Sequence, residues 1–273
     1  MNRLMYLADY HLHSRVSPDA SCSMTEMAEA AVKAGLDEIC FTDHMEPVAW
    51  NGRDPVLFYD WAALEREFRE AQAAMGDRIK LRLGIELGEA CLDLERTEAL
   101  LAEAPPLDFI IGSTHILSDA FGKIDLYFFH PEDEAEAHRG IRDYLELVRR
   151  NAEWGGFDVL GHLTLPLRYL NENQGFHMSF DGYEAEVEEI FRILIQKGRG
   201  IEVNTNRGNT PLPDRKWLEL YRRLGGEVIT LGTDAHTPEF VGRAVRERQE
   251  LLRRCGFRHF CTFERRKPVW HNL

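Results

Sequence analysis

The chain has 273 residues and a formal net charge of −13, with 44% hydrophobic and 29% charged residues. These values are ordinary for a globular protein with a sizeable core, and they argue against a binder of long nucleic acids, which needs a basic surface. No apolar run approaches the roughly 20 residues of a membrane-spanning helix, and the N-terminus lacks the pattern of a signal peptide. We therefore expect a cytoplasmic protein that does not associate with membranes.

Strand-like and helix-like segments alternate along the chain. The predicted strands cover residues 6–11, 38–42, 80–87, 109–113, 158–162, 201–204 and 228–233, with 257–263 as an eighth strand or an edge. The predicted helices cover residues 23–34, 60–75, 92–104, 133–154, 181–197, 213–224 and 239–254. Ser23 with Glu26 three residues later is the pattern of a capping box at the first of these helices.

Repeated strand–helix units predict a parallel sheet with helices outside it. No linker divides the chain, so residues 1–273 are expected to form one domain. About seven units fit a closed α/β barrel of the TIM-like type, and a doubly wound open sheet is the alternative. The sequence has neither a G-x-G-x-x-G motif after the first strand nor a P-loop, which argues against a dinucleotide site or a Walker-type site.

The cysteine residues and the basic run near the C-terminus do not indicate a functional site. The cysteines are odd in number and scattered, without a C-x-x-C pair: Cys22, Cys40, Cys91, Cys255 and Cys261. This argues against a disulfide framework and against a cysteine-based zinc site. The run Arg265-Arg266-Lys267 is interpreted as a solvated tail.

Metal-binding residue types stand at the C-terminal ends of six of the seven predicted strands. They are His11 and His13, Asp43 and His44, Glu86, His115, His162, and Asp234 and His236. In a parallel barrel these ends face one mouth, where barrel enzymes keep their active sites. A single histidine at a strand end is usually structural and is weak evidence for a metal site. The prediction therefore depends on the joint pattern over six strands. The scattered histidines are interpreted as structural: His130, His138, His177, His259 and His271.

The spacing within the pattern favours shared cations. Residues i and i+2 of a strand point to one face, so His11 and His13 can bind one metal or two neighbouring metals. Asp234 and His236 repeat this arrangement. Glu86 stands alone on its strand and is suited to bridge two cations.

The candidate ligands lie in six short motifs: Asp9-Tyr10-His11-Leu12-His13-Ser14, Phe41-Thr42-Asp43-His44, Gly84-Ile85-Glu86, Ile111-Gly112-Ser113-Thr114-His115, Gly161-His162 and Gly232-Thr233-Asp234-Ala235-His236. These motifs resemble those of the polymerase and histidinol phosphatase (PHP) superfamily. The resemblance implies a distorted seven-stranded (β/α)7 TIM-like barrel. The stretches Gly122–Tyr127 and Ile201–Asn206 make the chain similar to the histidinol-phosphate phosphatase branch, which implies hydrolysis of L-histidinol phosphate to histidinol and phosphate in histidine biosynthesis.

The same resemblance implies two to three divalent metal ions, which we expect to be Zn, Mn or Fe. One ion would take His11, His13, Glu86 and Asp234; a second Glu86, His115 and His162; a third Asp19, His44 and His236. Among these ligands, Glu86, Asp234 and His236 are expected to be catalytic.

Divalent ions bind phosphoryl oxygens and lower the pKa of bound water, which suits hydrolysis of a phosphate monoester. Arg168 and Arg207 follow predicted strand ends and are candidates to bind the phosphate of a small phosphorylated substrate, since a guanidinium fork matches its oxygens. Surface salt bridges are the alternative role for both. Asp43 is expected to orient a ligand histidine.

Other functions stay open on the residues alone. The same metal cluster would serve a phosphodiesterase, a nucleotide phosphatase or an exonuclease, and a non-catalytic metal-binding module is a further alternative. An amidohydrolase-type barrel is less favoured, because no lysine matches that pattern and Lys80 lies at the start of its strand. The sequence leaves the oligomeric state undetermined.

Overall fold

A computed structural model describes residues 5–48 and 59–273, and its main element is one sheet of seven parallel strands. The strands follow one another in chain order: β1 (Ala8–Leu12), β2 (Glu38–Met45), β3 (Lys80–Gly88), β4 (Phe109–Ser113), β5 (Val159–Leu160), β6 (Gly200–Asn204) and β7 (Ile229–Gly232). The expectation about a signal peptide rests on the N-terminus, whose first four residues lie outside the described ranges.

The sheet closes on itself. The backbone N–H of Asp234, just after β7, donates to the carbonyl of His11 at 2.8 Å, and that of His13 donates to the carbonyl of Ala235 at 3.0 Å. The predicted seven-stranded TIM-like barrel is therefore confirmed, and the open sheet is excluded. This closure also draws the residues after β7 against those of β1.

Helices surround the barrel. They are α1 (Met24–Ala34), α2 (Trp61–Met75), α3 (Leu94–Ala102), α4 (Glu134–Trp154), the short α5 (Leu165–Leu167), α6 (Glu184–Gln196), α7 (Arg215–Arg223) and α8 (Val245–Arg254). The capping box is present: Ser23 accepts from the backbone of Glu26, and the Glu26 carboxylate accepts from the backbone of Ser23 at 2.8 Å. No helix in the described part of the chain is long and apolar enough to cross a membrane.

The last predicted helix begins too early. A turn of 3₁₀ helix covers Pro238–Phe240, and α8 begins only at Val245. Gly242 and Ala244 adopt positive φ angles of 71° and 60°, a left-handed conformation that an α-helix cannot contain. The break turns the chain after β7 before α8 packs on the barrel.

The C-terminal segment is a hairpin of β8 (His259–Glu264) and β9 (Lys267–Asn272), so the interpretation of Arg265-Arg266-Lys267 as a solvated tail is wrong. Arg265 and Arg266 form its turn with positive φ angles. The Arg266 side chain donates to Asp158 and, at 2.9 Å, to the carbonyl of Gly156. Because these groups precede β5, the hairpin covers the N-terminal ends of the strands, opposite the predicted site.

Candidate metal centre and active site

Every predicted ligand lies at the C-terminal mouth of the barrel, and Glu86 is at the centre. The Glu86 carboxylate is fully buried. Its Oε2 lies 3.1 Å from Nδ1 of His44 and 3.2 Å from Nε2 of His11. Its Oε1 lies 3.1 Å from Nε2 of His115 and 2.9 Å from Nε2 of His162. One carboxylate thus faces imidazoles on both sides, which is the arrangement of a bridging ligand.

Asp234 completes one group of donors. Its Oδ1 lies 3.3 Å from Nε2 of His13 and 3.6 Å from Nε2 of His11. Asp234 has a φ of 57°, a left-handed conformation that aspartate tolerates better than most residues. His11, His13, Glu86 and Asp234 each offer an atom within 4.8 Å of the others' atoms.

A further group lies nearer the solvent, around Asp19 in the loop after β1. Oδ2 of Asp19 is 3.0 Å from Nε2 of His236 and 3.6 Å from Nε2 of His44. The His13 and His236 rings stack with their centroids 4.1 Å apart. Asp19 thus reaches this part of the site from its loop, and its role as a metal ligand stays a prediction.

The donor set fits divalent cations. Nε2 of His11, Nε2 of His13 and Oε2 of Glu86 are buried and make no hydrogen bond with the described residues. A buried polar atom without a partner is costly and needs an explanation. Imidazole and carboxylate together suit zinc, manganese or iron, and cations between these atoms would satisfy them.

The electrostatics of the cluster point the same way. Burial opposes the charged form of His11, yet Glu86, Glu202 and Asp234 raise its pKa well above 6.5. Burial raises the pKa of Glu86, but the positive charges on His11, His115 and His44 hold that pKa well below its usual value. Burial, with His236 and His44 beside it, lowers the pKa of His13 to about 3. Protons on some of the imidazoles thus balance the carboxylates, and metal ions would replace those protons.

Sequence reasoning missed the carboxylates behind the ligands. Oε1 of Glu202 lies 2.7 Å from Nδ1 of His11, and Oε1 of Glu46 lies 3.1 Å from Nδ1 of His115. Glu89 accepts from the backbone N–H groups of His115 and Ile116. A charged residue inside an apolar strand, as in Ile201-Glu202-Val203, was the available signal for Glu202.

Asp43 orients a histidine through an intermediary. Its carboxylate accepts from Oγ of Ser17 at 2.7 Å, and that Oγ lies 3.1 Å from Nδ1 of His13. Asp43 also accepts from the backbone and side chain of Ser14. Asp43 therefore holds both the loop after β1 and the Ser17 side chain that contacts His13.

The two predicted phosphate-binding arginines occupy different positions. Arg168 is largely buried beside the cluster, and its guanidinium donates to Oδ2 of Asp234 at 2.8 Å, Oδ1 of Asn206 at 2.8 Å and Oδ1 of Asn204 at 3.0 Å. Arg207 is exposed at the rim, with its guanidinium 5.0 Å from the centroid of the Phe240 ring. Arg168 thus contacts the candidate metal ligand Asp234 directly, whereas the contact given for Arg207 is with Phe240.

A cavity of about 330 Å³ opens above the cluster. The aromatic and apolar side chains of its wall are Tyr127, Phe128, Leu165 and Tyr169. A neighbouring cavity of about 350 Å³ shares Arg168 and Tyr169 and extends to Glu172 and Arg207. The five histidines interpreted as structural belong to none of the metal-type clusters of the described residues.

The sequence matches the PHP domain family over residues 9–206. It is similar to the histidinol-phosphatase of Lactococcus lactis subsp. lactis, with 28% identity over 93% of each chain. It is also similar to the probable histidinol-phosphatase of Deinococcus radiodurans, with 30% identity over 96% of this chain and 98% of the other.

The fold agrees with a solved structure. The crystal structure of histidinol phosphate phosphatase from Lactococcus lactis subsp. lactis, complexed with zinc, L-histidinol and phosphate, superposes with a TM-score of 0.79. The two chains are 26% identical, and the match covers 96% of this chain and 98% of the other.

Proposed function

The chain belongs to the PHP domain family, and on this premise we propose that it is a metal-dependent phosphatase that hydrolyses L-histidinol phosphate to histidinol and phosphate. The proposal rests on one observation: both oxygens of Glu86 face imidazoles, and the imidazoles of His115 and His162 line the cavity that Arg168 also lines. Similarity to histidinol-phosphatases over nearly the whole chain supports the choice of substrate. We also propose that residues 1–273 form a single domain.

The metal centre is proposed to hold two to three Zn, Mn or Fe ions. The deepest ion would take His11, His13, Glu86 and Asp234, whose donor atoms are grouped in the structure. A second would lie between Glu86, His115 and His162, and a third between Asp19, His44 and His236. Such ions supply positive charge to the phosphoryl oxygens and acidify bound water.

Arg168 is proposed to bind the phosphoryl group. A guanidinium has five N–H donors, and three bonds to Asp234, Asn204 and Asn206 fix its plane. The remaining donors can bind two phosphoryl oxygens without a further loss of side-chain freedom. Arg207, at the rim, is proposed to add a second and weaker contact.

The cavity wall suits the leaving alcohol of this substrate. Tyr127, Phe128 and Tyr169 offer flat surfaces for an imidazole ring. The buried Asp125 carboxylate lines the same cavity and complements an ammonium group. A volume of about 330 Å³ fits a small metabolite, which favours a phosphomonoesterase over an enzyme that acts on long nucleic acids.

The decisive experiment measures phosphate release from L-histidinol phosphate with manganese, zinc or iron. Glucose 6-phosphate and AMP serve as other monoesters, and bis-p-nitrophenyl phosphate as a diester. We expect kcat/KM for histidinol phosphate to exceed the others by at least about tenfold. Glu86→Ala, purified in the same way, controls for contaminating phosphatases. A higher kcat/KM on the diester would contradict the proposal and favour a phosphodiesterase.

A further inference from the structure

Glu202 lies behind the metal centre and contacts two of its candidate ligands at once. Its side chain, on β6, is 1% exposed. Oε1 lies 2.7 Å from Nδ1 of His11, on β1, and Oε2 accepts from the backbone N–H of His162 at 2.9 Å. Neither His11 nor His162 is near Glu202 in sequence, so this carboxylate joins two sides of the barrel.

The neighbouring strand leaves space for this carboxylate. A Cβ atom at Gly232, on β7, would lie 2.1 Å from Oε1 of Glu202 and 2.4 Å from Cβ of His11. Any other residue at position 232 would therefore push the Glu202 carboxylate away from His11. The contact between Glu202 and His11 therefore depends on the absence of a side chain at Gly232. Nδ2 of Asn204 also donates to Oε2 of Glu202, over a longer distance of 3.4 Å.

The chemistry of the contact fixes the state of the His11 ring. An ionised carboxylate only accepts hydrogen bonds, so Nδ1 of His11 must carry the proton. In the neutral ring, which is the form that binds metal, the lone pair of Nε2 is then on the side that faces Glu86 and Asp234, at 3.2 Å and 3.6 Å. Groups behind a ligand histidine are known to set its tautomer and its orientation in this way.

We propose that Glu202 is a positioning residue, which holds His11 in the tautomer that binds metal and anchors the backbone of His162 beside it. This inference rests on the metal centre of the proposed function but not on the identity of the substrate. Glu202 touches no reacting group, so it acts only through these two ligands.

A glutamine at this position separates charge from shape. Both partners of the carboxylate are donors, whereas a glutamine side chain has one carbonyl oxygen and one NH₂ group. The backbone N–H of His162 is always a donor, so the side-chain carbonyl of the glutamine is expected to face it. The NH₂ group then faces Nδ1 of His11 and favours the tautomer with its proton on Nε2, the atom that should bind metal.

The experiment compares Glu202→Gln with the wild type and with Glu38→Gln, a matched control. Glu38 is also a buried glutamate of the barrel, but it lies at the N-terminal end of β2, away from the metal centre. Its carboxylate accepts from the hydroxyl groups of Tyr6 and Tyr10. Zinc affinity is measured by chelator competition, without substrate. The histidine Nδ1–H signals of the zinc-loaded proteins are recorded by NMR after ¹⁵N-histidine labelling.

Glu202→Gln should weaken zinc binding by about 10- to 100-fold and remove one Nδ1–H signal, while Glu38→Gln changes neither. Glu202→Asp, which keeps both acceptor oxygens, should recover part of the affinity. Zinc affinity within about twofold of the wild type in a folded Glu202→Gln protein would overturn the proposal, as would failure of both Glu202 variants to fold. If the wild type binds zinc but does not hydrolyse histidinol phosphate, only the substrate assignment fails.

Discussion

Arg168 donates through Nη1 to Oδ2 of Asp234 at 2.8 Å, so the candidate phosphate-binding group and a candidate metal ligand share a direct contact. Burial lowers the pKa of Arg168, but the charge and hydrogen bond of Asp234, together with Tyr169 and Glu202, raise it above its usual value, so the guanidinium stays charged. The phosphoryl group is therefore expected to meet a positive side chain and the metal centre together.

Replacement of Arg168 tests this relationship. Arg168→Lys keeps the charge but loses the planar fork that Asn204, Asn206 and Asp234 hold. We expect kcat/KM for histidinol phosphate to fall about 100-fold, equivalent to about 2.7 kcal/mol of transition-state stabilisation. Steady-state kinetics and metal analysis of the same preparation provide the measurement. A lysine variant with wild-type kinetics would exclude the bidentate contact.

Arg207→Ala should have a smaller effect. The side chain is exposed at the rim and stacks over Phe240, so it adds binding energy only at the edge of the cavity. We expect KM to rise by about threefold to tenfold with little change in kcat, which is the signature of a contact equally strong in the ground state and the transition state. Metal content should stay unchanged. If neither kinetic constant moves, Arg207 has no phosphate role.

Glu86→Gln should abolish turnover while the protein stays folded. The amide keeps the volume of the side chain but loses the charge that offsets neighbouring cations and half of its acceptor capacity. Metal analysis should show the loss of at least one ion per chain, and circular dichroism checks the fold. His115→Ala is expected to lose activity likewise. Full activity in either variant would remove that residue from the site.

Metal binding should release protons. Burial opposes protonation, but nearby carboxylates raise the pKa values of His11, His44 and His115 well above 6.5. A metal ion binds only neutral imidazole, so zinc affinity should increase as the pH rises from 6 to 8. Calorimetry in buffers of different ionisation enthalpy measures the protons released. A binding enthalpy that is independent of the buffer would contradict this prediction.

The stability of the metal-free protein should have the opposite pH dependence. Because the folded-state pKa values of these histidines are raised, their contribution to stability is fully present below the unfolded value of about 6.5. It is lost as the pH rises through the folded values. Urea unfolding of the metal-free protein should therefore show a free energy of unfolding that decreases from pH 6 to pH 8. Titrations of the zinc-loaded protein provide the comparison, since bound ions replace these protons.

Arg266→Ala should affect stability alone. It removes the side chain that joins the hairpin turn to Asp158 and to the carbonyl of Gly156. The free energy of unfolding is expected to fall by about 1–3 kcal/mol, because a buried carboxylate loses a partner. Neither kcat nor KM should change, because the hairpin lies at the other end of the barrel. A changed KM would show coupling between the two ends.

The barrel and the candidate ligands could be predicted because both follow from local patterns. Alternating apolar strands and amphipathic helices predict the sheet, and strand ends in a parallel barrel converge at one mouth. His11, Glu86 and Asp234 can therefore be grouped from the sequence. The expectation required only the direction of each strand and the residue type at its end.

The supporting residues could not be predicted in the same way. Glu202 lies inside a strand, where its partner depends on which neighbour approaches and how closely, and Gly232 decides that approach. The turn at Arg265 and Arg266 places two arginines in the left-handed region, which sequence propensity assigns to glycine or asparagine. The broken start of α8 has the same origin, since Ala244 also takes a positive φ angle.

The hairpin of β8 and β9 gives the molecule two ends with different freedom to vary. The hairpin stabilises the end of the barrel that lies opposite the cavity. Its contacts there include Arg82 with Glu264 at 2.7 Å and Tyr10 with the backbone of Phe263. An engineer seeking a heat-tolerant variant can therefore redesign that face, where better ion pairs or tighter packing leave the ligand geometry untouched. Selection for a new substrate would act instead on the aromatic wall at the opposite mouth.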